Sequence, residues 1–295
     1  MQLDRTHLAV RERNGFEILD MSLHVLRTYF RAWWQATLLG ALPFMLINVA
    51  LLWGLWTNDD EEFPSRYVYL MTVLIFIEAP WATAVLTTYL GAAVFDEKMN
   101  VRAAWRETWK RLPQLVWCQG ILRGVLPAIG LIVLARQSDR DMNWFLEGFL
   151  LIMLGLYVVA IRAFRPFINE ILLLERNPVR AKSSQVITAG KRSKWLHDPS
   201  GGDLVLRWIA AAIVSILLAL AFTQTLTVTS GVFFGNWNWG WFMLLVGFPL
   251  VLWLVSGFMA IVRFLNYLDL RIRHEGWEVE LRLRAEAVRL ANKLS

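Results

Sequence analysis

Chemistry at a protein site needs nucleophiles, acids, bases or metal ligands held close together, and in this chain those residue types are few and dispersed. The four histidines, His7, His24, His197 and His274, lie far apart in sequence. None stands in a His-x-Glu or His-Glu-x-x-His pattern that would put two ligands on one helical face, so no metal site is expected. The single cysteine, Cys118, lies inside an apolar run, which excludes an internal disulfide. Neither Gly-x-Ser-x-Gly nor Gly-x-x-x-x-Gly-Lys-Ser/Thr occurs, and "SGG" at Ser200–Gly202 is too short to cradle a phosphate. The expectation is a non-enzymatic protein with no catalytic residue and no cofactor.

Charges embedded in apolar sequence carry more information, because each costs several kcal/mol unless it is paired or wetted. Glu78 lies eleven residues beyond Tyr67, roughly 16 Å along a helix, and Arg123 lies ten residues beyond Pro113, roughly 15 Å. Both are expected near the middle of a bilayer, either as a structural ion pair or as a ligand or ion site. Arg162, Arg165, Glu170, Arg263 and Asp269 fall nearer the ends of apolar runs, where arginines can snorkel. They form a candidate site for a lipid headgroup on the cytoplasmic side.

The elements that must position these residues follow from composition. With 57% hydrophobic and 18% charged residues and a mean hydropathy of +0.44, the chain reads as an all-α integral membrane protein. A hydrocarbon core about 30 Å thick needs roughly 20 apolar helical residues. Six stretches qualify: Trp33–Trp56, Tyr67–Phe95, Leu115–Ala135, Trp144–Arg165, Leu204–Thr229 and Trp239–Arg263. None shows the short alternating pattern of barrel strands.

Lys and Arg crowd the N-terminal arm, the connections after the second and fourth spans, and the tail. The intervening segments "TNDDEEFPSR", "RQSDRDMN" and "TSGVFFGNWNWG" hold only Arg66, Arg136 and Arg140. Short basic loops stay inside, so both termini are expected in the cytoplasm of a bacterial inner-membrane protein. The first thirty residues are charged and amphipathic, so no cleavable signal peptide is expected. The net charge of +6 and pI near 9.7 follow from the loop bias and give no reason to expect nucleic acid.

A repeated stretch organises the chain: "EKMNVRAA" at Glu97–Ala104 returns as "ERNPVRAK" at Glu175–Lys182, each after an apolar run. "NGFEILDMSLHVLRTYF" places Phe16, Leu19, Leu23, Leu26 and Phe30 on one helical face, and Asn14 with Glu17 forms a capping box. Asn100 can cap a similar helix bearing Val101, Trp105, Trp109 and Leu112, and Asn177 with Pro178 reads as a third start. Such helices are too polar to cross a bilayer and should lie on it. The reading is three units of one surface helix plus two spans, residues 14–96, 97–174 and 175–270, supported by "GALP" at Gly40–Pro43 and "GVLP" at Gly124–Pro127. In the tail, "WEVELRLR" alternates like a strand, yet the Glu278–Arg282 and Glu280–Arg284 pairs favour a cytoplasmic helix over 277–294.

"GFEILDMSLHVLRTYF" entering a proline-containing span, the surface-helix-plus-two-spans plan and the exit "FLNYLDLRIRHEGWEVELRLRAEA" resemble the membrane domain attached to some bacterial glycerophosphoryl diester phosphodiesterases and its stand-alone relatives of unknown function. The resemblance implies little about activity, because the phosphodiesterase chemistry of such fusions belongs to a separate soluble barrel. The leading expectation is a scaffold that docks membrane or cytoplasmic proteins through its cytoplasmic helices, and the alternative is a binder or transporter of lipid or small amphiphiles working through the Glu78 and Arg123 region.

Overall fold

The structure, a computed structural model, describes residues 14–53, 64–94, 100–122, 125–136, 144–163, 165–180 and 187–275. Arg123 and the tail helix over 277–294 lie outside the described residues, as does 97–99 of the first repeated stretch. Every regular element among the described residues is helical: α1 Gly15–Thr28, α2 Phe30–Leu51, α3 Ser65–Ala82, α4 Ala84–Val94, α5 Val101–Leu115, α6 Val125–Arg136, α7 Trp144–Ala163, α8 Ile168–Leu173, α9 Ala189–His197, α10 Gly201–Phe234 and α11 Phe248–Glu275. Among the described residues, three segments are long and apolar enough to cross a membrane: Phe30–Leu51, Gly201–Phe234 and Met243–Arg273. The bent pair α3 and α4 makes a fourth if it crosses as one span.

Two surface helices begin where their caps require. The Asn14 side chain accepts from the Glu17 amide at 2.8 Å, and Asn100 accepts from the Ala103 amide at 2.8 Å. Burial divides their predicted stripes. In α1 the buried residues are Ile18, Ser22 and Val25, while Phe16 and Leu23 stay exposed. In α5 the buried residues are Ala104, Thr108 and Leu115, while Trp109 stays exposed. Leu19, Leu26, Val101 and Trp105 pack against the core beside them, while Phe16, Leu23 and Trp109 turn outward, where a bilayer would cover them. The third start differs from expectation: Asn177 caps nothing, and α9 begins at Ala189 behind Thr188, whose hydroxyl accepts from Lys191. The Asn177 amide instead donates to Glu175 at 2.9 Å.

Proline and glycine set the packing of the apolar helices. Pro80 cannot donate to the Phe76 carbonyl four residues back, and the helix bends by 40° between α3 and α4, at Thr83. Against the bend lies Gly40, where an added Cβ would collide with the carbonyl oxygen of Ala82. A Cβ on Gly257 would stand 2.6 Å from the Thr37 hydroxyl oxygen, so α2 and α11 also depend on a missing side chain. A five-residue π-helical turn, Met243–Gly247, precedes α11, and the Tyr67 hydroxyl donates to its Leu244 carbonyl at 3.0 Å. α11 is the axis of the molecule. Trp253 packs with α2, α3 and α6, Phe258–Leu265 with α1, α4 and α5, and Tyr267 with α8 and α9.

Candidate functional site

Between α3, α7, α10 and α11 runs a half-open crevice of about 500 Å³. Its existence has a sequence cause. α10 faces it with Ala211, Ala212, Ser215 and Ala219, spaced to share one helical face, and these short side chains leave room that leucines would fill. Val73, Phe76, Leu252, Val255 and Met259 from α3 and α11 form an apolar floor. The volume lies within the usual range for small-molecule sites, roughly 300–1,000 Å³.

Polarity is concentrated at one end, the end of the bundle where α1 and α5 pack. Arg162, Arg207, Arg263 and Asn266 line the crevice there. Arg162 is placed by the helix break: its Nη2 donates to the Phe76 carbonyl at 2.8 Å, the acceptor that Pro80 leaves without its helical donor. Its guanidinium also lies 5.4 Å from the Phe76 ring centre. Arg263 donates through Nε to Glu170 at 2.7 Å and reaches the Thr87 hydroxyl at 3.4 Å. Arg207 bridges α10 and α11, meeting Asp269 at 2.8 Å, Asp203 at 3.0 Å and the Asn266 side-chain oxygen at 3.1 Å. Arg273 reaches Asp269 from the far side at 3.1 Å.

Glu170 and Asp269 are almost completely buried and stand behind the arginines rather than on the crevice wall. A buried carboxylate is tolerated only when paired, so each fixes the guanidinium in front of it. One oxygen of Glu170, Oε2, has no hydrogen-bond partner among the described residues. Of the five residues expected at a headgroup site, Arg162 and Arg263 therefore line the crevice, Glu170 and Asp269 orient arginines, and Arg165 is exposed outside the lining. Sequence reasoning missed Arg207 and Asn266. The signal for Arg207 was available: it is the only charged residue in the apolar run Leu204–Thr229.

Glu78 is buried between α2 and α3, and its Oε2 accepts from the Asn48 amide at 2.7 Å. Arg123, its expected partner, lies outside the described residues, so the proposed pair has no geometry. Nearby, a second polar chain secures the bend: the Gln119 amide donates to Asn169 at 2.7 Å, and the Asn169 amide donates to the Pro80 carbonyl at 2.6 Å. These contacts pair polar side chains with one another and with backbone in an apolar interior.

Beyond the crevice, Glu175 ties the connection after α8 to α9 and α11. It accepts from Arg192 at 2.5 Å and 2.8 Å and from the Tyr267 hydroxyl at 2.5 Å. Burial pushes its carboxyl upward, but the Arg192 and Tyr267 donors outweigh that and hold it below its ordinary value of 4.5. Among the described residues no group of three or more His, Cys, Asp or Glu side chains is arranged to hold a metal ion.

The chain matches no family model, no curated protein and no solved structure. The resemblance to the membrane domain of glycerophosphoryl diester phosphodiesterases finds no support there.

Proposed function

We propose that this is a non-enzymatic membrane protein that holds a lipid or another amphiphile in the crevice between α3, α7, α10 and α11. The observation that carries the reading is the crevice's polarity: apolar over most of its length, with three arginines gathered at one end. Such a gradient matches a molecule with a tail and a head, and matches poorly a uniformly polar solute. The bundle sits in a bacterial inner membrane as six crossings, with the arginine end and both termini on the cytoplasmic side. The three-unit plan belongs to the same proposal. The other reading, docking of partner proteins through cytoplasmic helices, rests on the tail over 277–294, which lies outside the described residues.

A substitution that fills the crevice tests this. Ala212→Trp places a large ring where α10 lines the cavity and touches none of the arginine contacts. The full-length protein, purified in mild detergent, should lose its co-purifying lipid by native mass spectrometry while keeping its helical content. Equal lipid retention in wild type and variant would remove the crevice from consideration.

A further inference from the structure

Resting on the lipid reading above, we infer that the crevice selects a phospholipid whose headgroup carries phosphate without a compensating ammonium group, taken from the leaflet at the arginine end. Its lining supplies three guanidiniums, Arg162, Arg207 and Arg263, and among the described residues no acidic side chain. A planar guanidinium presents paired N–H donors that match phosphate oxygens, whereas an ammonium arriving with a zwitterionic head would meet cations.

Phosphate fits better than a fatty-acid carboxylate because the three arginines come from three different helices. Arg162 arrives on α7, Arg207 on α10 and Arg263 on α11, so guanidiniums reach the lining from three separate helices. A tetrahedral group with several acceptor oxygens can accept from more than one of these helices, while a carboxylate offers two oxygens in one plane. The geometry also fits chain length. From Asn266 to Leu252 the α11 side of the crevice runs about 21 Å along the helix, at 1.5 Å per residue. One leaflet of hydrocarbon is about 15 Å deep. The crevice is therefore long enough for one leaflet's acyl chain with its glycerol and phosphate at the arginines.

Rigid placement of the donors favours selectivity. Glu170 fixes Arg263, and Asp203 with Asp269 fixes Arg207, so neither guanidinium must be ordered when the ligand arrives.

The test uses the full chain, delipidated and returned to mixed micelles with equal phosphatidylglycerol and phosphatidylethanolamine, with bound lipid counted by native mass spectrometry. Wild type should retain phosphatidylglycerol over phosphatidylethanolamine by at least about fivefold, as expected for added charge-assisted hydrogen bonds. Asn266→Asp keeps the acceptor for Arg207 but adds an anion to the lining, and should abolish the preference. Arg162→Gln retains a donor for the Phe76 carbonyl while removing the charge, and should lower the preference on its own. Equal retention of the two lipids by wild type would overturn the headgroup assignment and leave the crevice reading standing. Retention of neither would defeat both. Preferential retention of added oleate over phosphatidylglycerol would reassign the arginines to a carboxylate. Thermal protection by inorganic phosphate alone would reassign them to a soluble anion.

Discussion

The span Gly201–Phe234, which is α10, and the span Met243–Arg273, most of which is α11, have nearly the same hydropathy, 2.4 and 2.3 over their most apolar stretches. Their surroundings are opposite: 6% of that stretch is buried in α10 and 61% in α11. Hydropathy therefore decides that a helix belongs in an apolar phase, and says nothing about whether protein or lipid surrounds it. In a bilayer the tails are as apolar as leucine, so close helix packing depends on small residues and polar pins. α11 has both, with Gly257 against Thr37 and Arg263 bonded to Glu170. On α10 the small residues face a void, and Arg207 anchors one end. Equal hydropathy with unequal packing is what leaves a crevice beside α11 with α10 as its thin outer wall.

The sharpest way to break this comparison is to truncate one large side chain on each helix. Trp253 on α11 is buried against Phe44, with ring centres 6.2 Å apart, and Trp253→Ala should cost about 3–5 kcal/mol. Leu217 on α10 is exposed and absent from the crevice lining, and Leu217→Ala should change stability by less than about 0.5 kcal/mol. Thermal unfolding in detergent compares the two, and similar losses would mean that α10 packs against protein on its outer face.

A smaller effect comes from acid, and it falls on the α11 side alone. Because Glu175 is held below its ordinary value, its contribution to stability is fully present above that value and is lost as pH falls through its depressed folded-state value. Melting temperature should therefore drop more steeply below pH 4.5 in wild type than in Glu175→Gln, which has no such proton to take up. Parallel acid profiles would show that Glu175 does not link α9 to α11 as its contacts indicate.

Some of the molecule was legible in the residues. Asn14 and Asn100 announced two surface helices because a capping side chain acts within three residues of its target. The inward face of α1 was hidden, because Phe16 and Leu23 are the more hydrophobic side chains yet face outward, and in a membrane protein outward can also be apolar. Asn177 was misread: its pairing with Glu175 and the siting of α9 depend on Arg192 and Tyr267, which arrive from distant sequence. Arg162 and Arg263 were recognisable as charges near span ends. Their convergence with Arg207 was not, since three separate helices bring them together.

The central claim is that α10 has a lipid-holding inner face distinct from its lipid-bathed outer face. A phosphatidylglycerol carrying a photoreactive group near the end of its acyl chain, bound at low lipid-to-protein ratio and crosslinked, reads this directly. Peptide mapping should place the adducts on the crevice residues Ala219 and Leu252. Adducts confined to the outward residues Leu217 and Leu220 would show lipid bathing α10 from outside and would contradict a bound lipid in the crevice.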